Sequence, residues 1–208
     1  LIGRMPGDYW RQFAGIRLLA LYQMTHPGAK LNFMGNEIGQ FIEWRYYEGI
    51  EWFLLDYESH RKHQAFIREL NHVYAKEKAL WSCDHNWRGF AWIDADNAQQ
   101  GILSYIRRSE SGLITTVTVL NCGVQSYERY RVGVPKPGYY REILSSDSED
   151  FGGSGKVNRE PVRAEAVPFH GQPYSIEITV PPIGGTILKR VRKQEETTTC
   201  SQEKKTSK

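Results

Sequence analysis

Cysteine is scarce in this 208-residue chain, and what there is forms no pattern. Cys83, Cys122 and Cys200 are odd in number, far apart and outside any CxxC spacing, which excludes the disulfide framework of a small secreted domain and a thiolate metal centre. A reducing compartment, the cytoplasm, is the expected setting, with Cys83 and Cys122 as buried, inert thiols. No apolar run is long enough to cross a bilayer, and Leu1 does not open a signal peptide, so no membrane partner is implied. Charge of one sign is lacking too: 27 Lys and Arg stand against 24 Asp and Glu, scattered along the chain. That balance gives no footprint for nucleic acid. Nor is there an internal repeat or an initiator Met, and the abrupt start "LIGRMPGDYW" reads as the middle of something larger.

What is present divides into two periodicities. Asp8 is placed to cap a helix from Tyr9 to about Met24, with Phe13, Ile16, Ala20 and Met24 on one stripe and "HPG" as its stop. A short buried strand is expected through Leu31, Phe33 and Met34, then an irregular aromatic and acidic stretch from Phe41 to Asp56. Ser59 is expected to cap a second helix whose face is Phe66, Ile67, Leu70, Val73 and Tyr74. Helix, strand, long loop, helix is a β/α pattern, and it ends near Leu80. Beyond Trp81 come "GFAWIDAD", "GILSYIRRS", "LITTVTVLN", "YERYRVGVP", "YSIEITVPP" and "GGTILKRV", short β-branched and aromatic segments separated by turn residues. They predict a small antiparallel β-sandwich over residues 81–191. The polar run 192–208 has almost nothing to bury and is expected to be a disordered tail.

The stretch "GAKLNFMGNEIGQFIEW" carries the functional interest. In barrels and open parallel sheets, ligands bind beyond the C-terminal ends of the strands. Asn36, Glu37 and Gln40 stand at such an end, where Gly35 permits a turn. By pattern alone Glu37 is either a site wall or a structural carboxylate, and Trp44 either a stacking platform for a sugar ring or a core residue. His60 and His63 share a helix face without a third ligand, which makes them surface residues rather than a metal site. "DSEDFGG" lacks the alternating oxygen ligands of a calcium loop. No metal or cofactor is expected.

Several of these segments resemble one family. "MPGDYWRQFAGIRLLALYQMTHPGAKLNFMGNEIGQFIEW", "LLDYESHRKHQAFIRELNHVYAKEKALW", "GFAWIDADNAQQGILSYIRR" and "REILSSDSEDFGGSG" are similar to the C-terminal third of bacterial-type glycogen branching enzymes, members of the α-amylase superfamily. The resemblance runs from Leu1 to about Val191. It implies that residues 1–80 are the C-terminal remnant of a TIM-type β/α barrel, its seventh helix, eighth strand and eighth helix, and that residues 81–191 are the all-β C-terminal domain. The family's reaction is a retaining transfer through a covalent glucosyl intermediate, an Asp nucleophile and a Glu acid/base acting with a further Asp, and a glucan 6-hydroxyl replacing water as acceptor. The resemblance places all three carboxylates before Leu1, so no residue here is a catalytic candidate. Asn36, Glu37 and Trp44 are the candidate substrate-binding residues, an α-glucan is the implied partner, and so is the preceding part of the same enzyme. Two rival readings are a non-catalytic glucan-binding or structural module and a hydrolase of the same superfamily.

Overall fold

The computed structural model describes residues 1–191; the expected tail, 192–208, lies outside them. Helix α1 (Tyr9–Thr25) begins where Asp8 accepts a hydrogen bond from the Arg11 amide at 2.9 Å, a side-chain cap on an otherwise orphaned donor. Helix α2 (Glu58–Lys76) begins one residue before the expected cap at Ser59, and no side chain caps it. The chain enters it instead from a 3₁₀ turn, Trp52–Asp56, and Arg61 reaches back to the carbonyls of Leu55 and Asp56 at 3.0 and 2.6 Å. That entry leaves Ser59 inside the first turn.

No strand forms over Leu31–Met34. The segment is irregular, and Leu31 and Phe33 are exposed rather than buried. A strand needs a neighbour to satisfy its backbone groups, and among the described residues none pairs with this one. The cysteines divide as well: Cys83 is buried, whereas Cys122 is exposed, at the turn where its amide donates to Gly101.

From Phe90 the chain is antiparallel β-structure. Strands β1 (Phe90–Asn97), β2 (Ile102–Arg108), β3 (Thr115–Asn121), β5 (Tyr139–Ser145), β6 (Val162–Arg163) and β8 (Gly184–Val191) form one sheet in the order β1-β2-β3-β8-β5-β6. β4 (Tyr127–Val134) and β7 (Tyr174–Val180) form a two-stranded sheet against it. Alternation along each strand sends its side chains to opposite faces. Ile102, Ile106, Val117, Val119 and Leu188 meet Val132, Val134, Ile176, Ile178 and Val180 in the inter-sheet core. The other face carries Tyr105, Leu120, Leu144 and Ile187, and these pack against Leu18, Leu21, Phe66, Leu70 and Val73 of the helices. The six-stranded sheet is thus the middle of three layers, and β3 is buried on both faces at every position.

Two buried guanidinium groups fasten α1 to this sheet. Arg107 on β2 donates to the Thr25 carbonyl at 2.7 Å, one of the acceptors left open at a helix C-terminus, and pairs with Asp84. Arg17 on α1 donates to the Ser146 carbonyl at 2.8 Å, at the end of β5. Burial lowers the Arg17 pKa to about 10, with Asp147 opposing the shift. Because helices and sheet share one core, truncating that core on the helix side should weaken the whole chain. Leu21→Ala, at a fully buried position, is expected to cost about 2–5 kcal/mol. Far-ultraviolet and tryptophan-fluorescence denaturation curves should shift together; helices that melt while the sheet stays put would contradict a shared core.

Candidate functional site

The turn that the sequence marks as a site wall is a single 3₁₀ turn, Asn36–Ile38, held between two glycines in left-handed conformation, Gly35 at φ 82° and Gly39 at φ 68°. Positive φ is inexpensive only for glycine. At Gly35 a side chain is excluded for a further reason: its Cβ would lie 2.7 Å from Gln40 Oε1. Gln40 is itself buried, donating to the Ile42 carbonyl at 2.8 Å and accepting from the Glu51 amide at 3.0 Å. It is the brace of the aromatic loop that follows, not a ligand-facing amide.

His60 and His63 of α2 support the same turn from below, which corrects the expectation that they lie on the surface. Each is about 1% exposed. His60 Nδ1 donates to the Ile38 carbonyl at 2.7 Å, and His63 Nε2 donates to the Asn36 carbonyl at 2.9 Å. Spacing already put them there: residues 60, 63, 66, 70 and 73 make one continuous stripe of α2, so the two imidazoles extend its buried face toward the loop. Phe13 packs edge-on against both rings.

Above the turn, Asn36 and Trp44 come together. They line a cleft of about 190 Å³ with Leu1, Arg4, Phe33 and Glu43. Trp44 is 72% exposed, stacks at a tilt on Phe33 with ring centroids 4.4 Å apart, and has φ 63°. For a bulky residue that backbone is strained, at about 1–2 kcal/mol. Glu43 lies 3.6 Å from the Arg4 guanidinium. Glu37 is half-buried on the same turn and does not line this cleft. The geometry therefore joins two of the three sequence candidates and separates the third. It adds Phe33, whose aromatic face the expected strand would have hidden. An open aromatic wall beside an amide and an acid–base pair is suited to holding a polyhydroxylated ring, with stacking on one side and hydrogen bonds at the edge. Among the described residues no group of three potential metal ligands occurs, and no helix is long and apolar enough to cross a membrane.

Residues 92–191 match the family described as alpha amylase, C-terminal all-beta domain, in keeping with the antiparallel sandwich found there. Over nearly its whole described length the chain is similar to proteins named 1,4-alpha-glucan branching enzyme GlgB. That of Desulfitobacterium hafniense is 50% identical over 189 residues, covering 91% of this chain and 30% of that protein. Those of Halothermothrix orenii and Bacillus cereus are 47% and 48% identical over 189 and 192 residues, again covering 30% of each relative. The chain thus spans under a third of the length of these relatives and matches their C-terminal part, which bears out the resemblance read from the sequence. Among solved structures, a cyclomaltodextrinase shares the fold with a TM-score of 0.55 at 15% identity, over 88% of this chain and 26% of that one.

The support beneath the turn has a pH signature. Burial, together with Arg17 and His60, lowers the His63 pKa from 6.5 to about 4, against the raising effect of the Asn36 carbonyl. Below pH 6.5 the unfolded chain takes up a proton at this position that the folded chain refuses, so stability falls as pH drops from 6.5 toward 4. The full loss is about 3 kcal/mol. Urea midpoints measured across that range should decline in the native chain and decline less in His63→Gln; parallel declines would remove His63 as the cause.

Proposed function

We propose that this chain is the C-terminal part of a glycogen (1,4-α-glucan) branching enzyme of the reducing cytoplasm, cleaving α-1,4 chains and transferring them to form α-1,6 branches. The observation that carries this reading is the near-50% identity to proteins of that name over 91% of the chain. On this reading residues 1–80 are the end of the catalytic β/α barrel and residues 81–191 the C-terminal all-β domain. The exposed side of α1 and the unpaired segment 31–34 then face barrel strands that the relatives carry in the two thirds of their length this chain does not span. The nucleophile, the acid/base and the third carboxylate belong to that other part too. The role of this chain is to complete the barrel and to supply a wall of the glucan groove, with Asn36 and Trp44 contacting sugar and Glu37 supporting the turn from behind.

Two outcomes follow. The chain by itself should form no branches on amylose, because positioned carboxylates acting together supply most of the rate; loss of iodine colour, with new chain ends released by a debranching enzyme, reports any activity. Reproducible turnover in preparations freed of host enzyme would require chemistry from Glu37, Glu43, Glu48, Glu51 or Asp56, and the reading would be wrong. In a full-length branching enzyme carrying this segment, Trp44→Ala and Asn36→Ala should each raise KM for glucan by roughly five- to thirtyfold, the loss of one stacking or hydrogen-bonding contact of about 1–2 kcal/mol. Unchanged KM in both, with the fold intact, would take the cleft out of the substrate path.

A further inference from the structure

We propose that His60 and His63 are positioning residues for that cleft: two neutral imidazoles of opposite tautomer that brace the two ends of the Asn36–Ile38 turn and so fix where the Asn36 amide stands. The proposal rests on the reading of the cleft as a glucan site. Its physical basis is the partner set. A carbonyl oxygen only accepts, so the contact to Ile38 at 2.7 Å requires a proton on His60 Nδ1, and the contact to Asn36 at 2.9 Å requires one on His63 Nε2. The remaining nitrogens agree with that assignment. His60 Nε2 lies 3.2 Å from the Tyr9 hydroxyl, which can donate to its lone pair. His63 Nδ1 is buried with no hydrogen-bond partner among the described residues.

The orphaned nitrogen is informative. A buried acceptor without a partner is a cost, so His63 is held there by its single bond to the turn and by its packing on Phe13. The turn needs such a brace. Ile38 is anchored by its buried side chain, but the flanking glycines have none to anchor them, and apart from the imidazoles the hydrogen bonds to the turn's backbone are the local amide bonds of residues 33–40. Two donors one helical turn apart, on a helix whose other end is sunk in the shared core, convert a pliable loop into a fixed platform. The charged neighbour of this arrangement is Arg17, which faces His63 and opposes its protonation.

The tautomers make the proposal testable without activity. Nitrogen-15 correlation spectra of the imidazoles in this chain near neutral pH should show His60 protonated at Nδ1 and His63 at Nε2; identical tautomers, or rapid exchange in both, would overturn it. In a full-length branching enzyme carrying this segment, the amide that mimics the bonding nitrogen should rescue. His63→Gln and His60→Asn are expected to stay within about threefold of the parent in kcat/KM, while the crossed pair, His63→Asn and His60→Gln, fall about ten- to a hundredfold, mainly through KM. Melting temperatures of crossed and matched variants identify any general loss of folding. Equal kinetics in the two sets would sink the positioning role. If Asn36→Ala and Trp44→Ala have no effect, it is the glucan reading that has failed; if they act and the crossed variants do not, it is the brace.

Discussion

Helix α1 lies against the six-stranded sheet only because Gly185 on β8 presents no side chain to it. A Cβ there would meet Leu120 Cδ2 at 2.6 Å and Leu21 Cδ2 at 2.8 Å, and the Val119 carbonyl at 2.9 Å. Close packing of that kind leaves no slack for an added methylene. From this contact the rest follows. α1 at this depth lets Arg17 reach Ser146 and lets Thr25 receive Arg107, and it sets the level at which α2 must pack beside it. α2 in turn carries the two imidazoles to the turn at Asn36. The cleft therefore inherits its geometry from the sheet through two helices.

The β-region was readable because each strand has its own alternation and turn chemistry: Ile102, Ser104 and Ile106 on one side of β2, Leu103, Tyr105 and Arg107 on the other. α1 was readable from the Asp8 cap and the "HPG" stop. What depends on a neighbour is not legible in one segment alone. "LNFM" has the composition of a strand, but pairing is a property of two segments, and none accompanies it. Cys122 has the hydrophobicity of a core residue but falls at a turn.

The site was legible in outline and not in mechanism of support. Gly35 and the amide and acid after it announced a turn, and Trp44 announced an aromatic face, yet Gln40 was read as a wall residue when it is a brace. The lack of a third ligand beside His60 and His63 argues against a metal site but says nothing of burial. Counting them into the stripe with Phe66, Leu70 and Val73 would have buried them, since a helix face does not end where its residues stop being apolar. What each ring bonds to could not come from spacing, because both acceptors are main-chain carbonyls of a distant turn.

The strand order carries a consequence for synthesis. β8 pairs with β3 on one side and β5 on the other, so the last strand of the described chain is the keystone of its largest sheet. In order of synthesis, both helices and seven strands of the described residues are made before the piece that joins them exists. Until then β3 and β5 each offer an open edge, and Leu21 has no floor to rest on. Such edges invite pairing with other chains, and contacts this distant in sequence form slowly. The vulnerable interval for this fold is thus the one between the making of β5 and the making of β8, when the sheet still lacks the strand that joins its two parts.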